Sequence, residues 1–206
     1  MSSVDAPVVR ESAEPDPDAS SCLKLYSQLA AGVCVVTVAG QDVPLGMTAS
    51  TVTSVSLRPP LLLACLQTGS RTLSWIEQRG SFGVQLLRAD QQSLAKAFAR
   101  PGNTAAVEIG YREVLGVPIL PACLAWSVCR VEDARLYGDH VVVVGRVVAA
   151  IVNGGRPLVW HDHEFAELAA FAPAPLRPRS VQPASLQPVV PAPRSLQPAS
   201  LQPAIV

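Results

Sequence analysis

Two strand-like runs, LAWSVCRVEDARLY (124–137) and HVVVVGRVVAAIV (140–152), are separated only by Gly138-Asp139. β-Branched and apolar residues dominate both, and a Gly-Asp pair between such runs is the chemistry of a tight hairpin turn. A hairpin of this length is usually found in barrels. The chain therefore has to be organised around long antiparallel strands.

The rest of the pattern agrees. LKLYSQLAAG (23–32) reads as a short amphipathic helix closed by Gly32. VCVVTVA (33–39), the segment from Pro44 to Val52, LLLACLQ (61–67) and SFGVQLL (81–87) read as strands, and PLVW (157–160) can close the sheet. TGSRTLSWIEQRG supplies a loop and a helix with Leu73, Trp75 and Ile76 as apolar members. ADQQSLAKAFAR (89–100) is a helix with Leu94 and Phe98 on one face, stopped by Pro101. About six strands to three helices predicts a mainly β fold, an antiparallel barrel with helices over its ends.

The domain is predicted to run over residues 22–171. Residues 1–21 are acidic and proline-bearing and read as a disordered leader without signal-peptide layout. From Pro173 on, nine of the 19 prolines fall in 34 residues, and RSVQPASLQPVV (179–190) recurs as RSLQPASLQPAI (194–205). Residues 172–206 read as an extended, repetitive tail, either a docking segment or a passive repeat expansion.

Charge excludes several functions. Sixteen basic residues balance sixteen acidic ones, without the basic stripe of a nucleic-acid binder. Only Lys24 and Lys96 are lysines, so no polybasic membrane patch exists, and the apolar 141–152 run is broken by Arg146 and too short to span a bilayer. Five cysteines without a CxxC pair read as reduced, buried thiols, which predicts a soluble cytoplasmic protein. His161 and His163 sit at i, i+2, but no third ligand accompanies them, so no metal site is expected. There is no GxGxxG after a strand, no GxxxxGK loop and no GxSxG elbow.

Two segments are rich in hydroxyls. GMTASTVTSVSL (46–57) carries Thr48, Ser50, Thr51, Thr53, Ser54 and Ser56. CLQTGSRT (65–72) opens from a buried strand into a loop with Thr68, Ser70 and Thr72 before a helix. Hydroxyls at a helix N-terminus form an anion site, and Ser70 or Thr72 would serve equally as an N-cap.

Taken in order, GVCVVT, GMTAST, SVSLRPPL, the cysteine-bearing LLLACLQ, SRT and GVQLL resemble the flavin reductase-like family of the FMN-binding split barrel. The match continues through QQSLAKAFA, GVPIL, YGDHVVVVGRV and PLVW, over nearly all of residues 28–168. The chain departs from the family pattern at Gln85 (usually Asn), at Thr51 (usually Ser), in PGNTAAVEIGY after Phe98 and at Trp160-His161.

The resemblance implies a homodimeric six-stranded split barrel that uses NADH or NADPH to reduce FMN or FAD, and passes reduced flavin to a partner monooxygenase. By the same resemblance Met47, Thr48, Ala49, Ser50 and Thr51 line the ring and ribityl chain, Cys65, Leu66 and Gln67 pass beside the ring, and Ser70 and Thr72 take the phosphate. His140, in the G-D-H motif, stands on the nicotinamide side. Other readings of the same barrel are a flavin binder without turnover, and a flavoenzyme keeping its FMN for oxidative chemistry on a small molecule.

Overall fold

The computed structural model describes residues 17–100 and 105–168; the sequence up to residue 16 and the repeat-bearing tail lie outside the described residues. Helix α1 (Ala19–Ser27) begins within the expected leader, because the Asp18 carboxylate accepts the Ser21 N–H at 2.7 Å and caps it. Gly32, expected to end this helix, instead lies in the short strand β1 (Ala31–Gly32), paired with Val159 and Trp160. There follow β2 (Cys34–Val38), β3 (Leu45–Ala49), β4 (Val52–Leu57), β5 (Pro60–Gln67), α2 (Arg71–Arg79) and β6 (Ser81–Leu86). A 3-10 turn leads into α3 (Gln92–Phe98), and α4 (Ala105–Ile109) precedes the hairpin of β7 (Arg112–Val114) and β8 (Val117–Ile119). The long β9 (Ala125–Tyr137) and β10 (His140–Val152) come next, then β11 (Leu158–His161) and β12 (Glu164–Glu167).

One antiparallel sheet dominates, in the order β3-β2-β6-β9-β10-β5-β4. It has seven strands rather than six, because the expected strand from Pro44 to Val52 breaks at Ser50-Thr51 and contributes to both sheet edges. No ladder joins β3 to β4, so the sheet is not closed by hydrogen bonds. Yet only two residues separate these edges in sequence, and the reach of so short a link forces the sheet to roll until its edges meet at that corner.

The long hairpin forms as the sequence predicts, but it is not regular. Glu132 in β9 and Val148 in β10 are extra residues at two bulges. Beside the first, a Cβ on Gly145 would fall 2.6 Å from Phe82 Cζ and 2.8 Å from Cys129 Cβ. Glycine at this position lets the fully buried Phe82 pack against the bent strand.

PLVW does not close the main sheet. Its strand, β11, pairs with β1 and β12 in a separate three-stranded sheet, and Leu158 packs with Val33, Val35, Leu87 and Phe98. WHDHEF is the turn of the β11–β12 hairpin, with Asp162 and His163 both at positive φ. The main core, including Val36, Leu66, Leu73, Ile76, Phe82 and Val143, fills the inside of the rolled sheet under α2. A third cluster joins the β7–β8 hairpin to Trp126 and Val128.

Candidate active site

The corner between the sheet edges is fixed by two hydrogen bonds. Cys65 N donates to Thr51 O at 3.0 Å, and Thr51 Oγ1 donates to Cys65 O at 2.8 Å. Beyond the corner, β5 ends at Gln67 and the chain turns through Gly69 (φ 76°) into α2. A cleft of about 420 Å³ opens here, between Leu45–Met47 of β3, the 67–72 segment and the end of α3.

The α2 N-terminus faces this cleft with unspent donors. Ser70 is the N-cap, its Oγ accepting the Leu73 N–H at 3.2 Å, and its carbonyl takes the Ser74 N–H. The amides of Arg71 and Thr72, at the first two helical positions, have no acceptor within the helix. Thr72 is only 5% exposed and lines the cleft, and its hydroxyl makes no hydrogen bond among the described residues. Together with the Arg71 side chain, also in the lining, these groups form a cradle for an anion. Gly46 completes it, since a Cβ there would fall 2.7 Å from Phe98 Cε1.

The β9–β10 turn is tied to the same loop. Asp139 O accepts both the Thr68 N–H (2.9 Å) and its hydroxyl (3.0 Å). In the β5–β10 ladder His140 stands opposite Gln67, and in the β9–β10 ladder it stands opposite Tyr137. Alternation puts Gln67, His140 and Tyr137 in one row on the outer face, since their neighbours Leu66 and Val141 point into the core. His140 Nδ1 lies 2.8 Å from Asp139 Oδ1. That hydrogen bond, then a backbone one and the charge of His140, holds the Asp139 carboxyl below the usual range. The contact fixes the ring by one nitrogen and leaves Nε2 as its other polar atom.

The expected residues divide into three groups. Met47, Gln67, Ser70 and Thr72 line the cleft. Ser50, Thr51 and Cys65 form the corner, with Cys65 on the outer face of the His140 row. Thr48, Ala49 and Leu66 fall elsewhere. Thr48 Oγ1 donates to Ala95 O at 2.6 Å and fastens α3, while Ala49 and Leu66 are core side chains able to offer only their backbone.

Arg71, Phe98 and Tyr137 were not expected in the site. Arg71 stood between the two residues singled out, Phe98 showed only its helical periodicity, and Tyr137 immediately precedes the turn that presents His140. Gln85, where the family pattern has Asn, is fully buried away from the cleft, donating through Nε2 to Thr37 Oγ1 at 3.0 Å. Its Oε1 has no hydrogen-bond partner among the described residues. Burial pushes the Cys34 thiol up to about 12 and the Cys129 thiol up to about 11, which keeps both protonated at neutral pH.

The pattern of the flavin reductase like domain matches residues 26–169. The chain belongs to the flavin reductase-like family. A flavin reductase (NADH) from Kitasatospora aureofaciens is 40% identical over 151 residues, 69% of this chain and 75% of that protein. The reductase component of a 4-nitrophenol 4-monooxygenase/4-nitrocatechol 2-monooxygenase from Rhodococcus opacus is 33% identical over 154 residues, 75% of this chain and 83% of that protein. Among solved structures, the flavin reductase component of a bacterial two-component tryptophan halogenase superposes with a TM-score of 0.68 at 37% identity. That superposition covers 73% of this chain and 98% of the other. Within this flavin reductase fold, the Thr68–Asp139 bonds tie the loop leading into the α2 cradle to the turn that begins the His140 row.

Proposed function

We propose that this protein is an NADH-dependent flavin reductase acting on FMN or FAD, and that it supplies reduced flavin to a partner monooxygenase. The observation that carries the reading is the Thr72 hydroxyl at the cleft beside two helix-terminal amides, joined through the Thr68–Asp139 bonds to the turn whose histidine is held by its neighbour's carboxylate. These residues fit a flavin phosphate: hydroxyls and amides donate, and Arg71 adds the charge. Bound flavin supplies the hydride acceptor and reduced nicotinamide the donor, chemistry that needs no protein nucleophile.

The chain's own residues then have limited tasks. Ser70, Arg71 and Thr72 anchor the phosphate end. The Thr51–Cys65 corner and Gln67 present backbone and amide groups along the wall of the site. His140, oriented through Nδ1 by Asp139, offers Nε2 to the nicotinamide side, where a placed donor or acceptor restricts approach.

We further read the rolled sheet as the split barrel of a homodimer. The outer face of β5 and β10 carries Leu61, Leu63, Val142 and Val144, all partly exposed, and Leu57 at its margin is 88% exposed. A second copy is the natural cover for such a face, and light scattering on the purified protein tests it. Free thiols suit a reducing cytoplasm. Flavin fluorescence quenching tests the site itself: FMN should bind more tightly than riboflavin, and equal binding of the two would remove the phosphate cradle from the account.

A further inference from the structure

A second and larger hollow, about 560 Å³, lies apart from the flavin cleft and shares no lining residue with it. It opens where Ile109–Arg112 faces Ile119–Ala122 and the start of β9. Trp126 is part of its lining and is only 6% exposed. The guanidinium carbon of Arg112 stands 5.0 Å from the centre of the Trp126 ring. The remaining lining is mainly apolar, with Ile109, Ile119 and Leu120, and includes no carboxylate. Among the described residues Arg112 forms no ion pair.

An arginine laid over an indole gains a cation–π contact while its charge stays uncancelled. The lining sets no carboxylate against that charge, so the hollow prefers an anion. Its volume is in the range of small-molecule sites, mostly apolar with few polar groups. The buried Trp126 Nε1 has no acceptor among the described residues either, so the same wall holds a donor without a partner there. We propose that this hollow binds a small planar aromatic carboxylate, its ring against the apolar walls and its carboxylate on Arg112. The assignment stands independently of the flavin reading.

Calorimetric titration of the full chain with 2-naphthoate tests it, with AMP and cyclohexanecarboxylate as comparison ligands. The expected result is saturable binding of one naphthoate per chain, tighter than either comparison ligand. Arg112→Gln should weaken it roughly tenfold or more, the loss of a hydrogen bond to a charged group. Arg112 is exposed, so the variant should fold, which circular dichroism checks. FMN affinity should be the same with and without saturating naphthoate. Absence of saturable binding, an unchanged affinity in Arg112→Gln, tighter binding of AMP, or competition with FMN would each overturn the proposal.

Discussion

Thr68 gives both its backbone N–H and its hydroxyl to one acceptor, the carbonyl oxygen of Asp139, at 2.9 and 3.0 Å. This joins the loop that opens helix α2 to the turn that presents His140. Two segments far apart in sequence, the proposed walls of the site, are thereby tied together. Thr68→Val should keep the backbone bond and lose the hydroxyl one, at a cost of about 1 kcal/mol in denaturant unfolding. The KM for NADH should rise while FMN affinity holds, as steady-state kinetics and flavin titration will show.

Ser70 and Thr72 are predicted to separate by their roles. Ser70→Ala removes the cap on the Leu73 N–H and should cost about 1 kcal/mol of stability as well as flavin affinity. Thr72→Val keeps shape and removes only the hydroxyl facing the cleft, so it should leave stability nearly unchanged. Arg71→Gln should weaken FMN binding by roughly tenfold and riboflavin binding hardly at all. Parallel FMN and riboflavin titrations distinguish these outcomes.

His140→Ala should lower kcat/KM for NADH by about ten- to a hundredfold, the range for losing a hydrogen bond at a charged group, with measurable turnover remaining. Complete loss in a folded variant contradicts a mechanism in which the two redox partners carry the chemistry.

The Asp139–His140 contact also has a pH signature. The Asp139 carboxyl is held below its ordinary value of 3.8. A depressed folded-state value means that its contribution is fully present above the unfolded value and is lost as pH falls through the lower, folded one. The turn should therefore stay ordered through neutral pH and loosen only in strong acid, which NMR titration of the Asp139 carboxyl and the His140 ring can follow.

Much of this was legible in the sequence. The Gly138-Asp139 hairpin, the helix after SRT and the hydroxyl-rich stretch each announced themselves through turn chemistry, capping residues or β-branched runs. The break at Ser50-Thr51 did not, because both halves are strand-like and only the pairing of Thr51 with Cys65 shows that the chain changes edges. PLVW looked like a strand for the main sheet, since local pattern reveals a strand but not its partner. Leu66 and Cys65 are adjacent and alike in sequence, yet alternation sends one into the core and the other outward. Several of the hydroxyls proved structural: Thr48 fastens α3, Thr51 the corner, and Ser56 Oγ accepts the Arg58 N–H at 3.1 Å.

Gln85 marks a departure from the family pattern that belongs to the core. It bridges to Thr37, whose hydroxyl donates in turn to Pro118 O at 2.6 Å. Gln85→Ala should destabilise the fold by about 2–4 kcal/mol through a cavity and a broken hydrogen-bond chain. FMN affinity of the folded protein should be unchanged, measured below the unfolding transition.

The most direct test is NADH oxidation by the purified protein in air, with and without added FMN or FAD. Turnover should depend on added flavin and continue through many equivalents of it. Flavin binding without NADH oxidation, or oxidation that ignores added flavin, would contradict it.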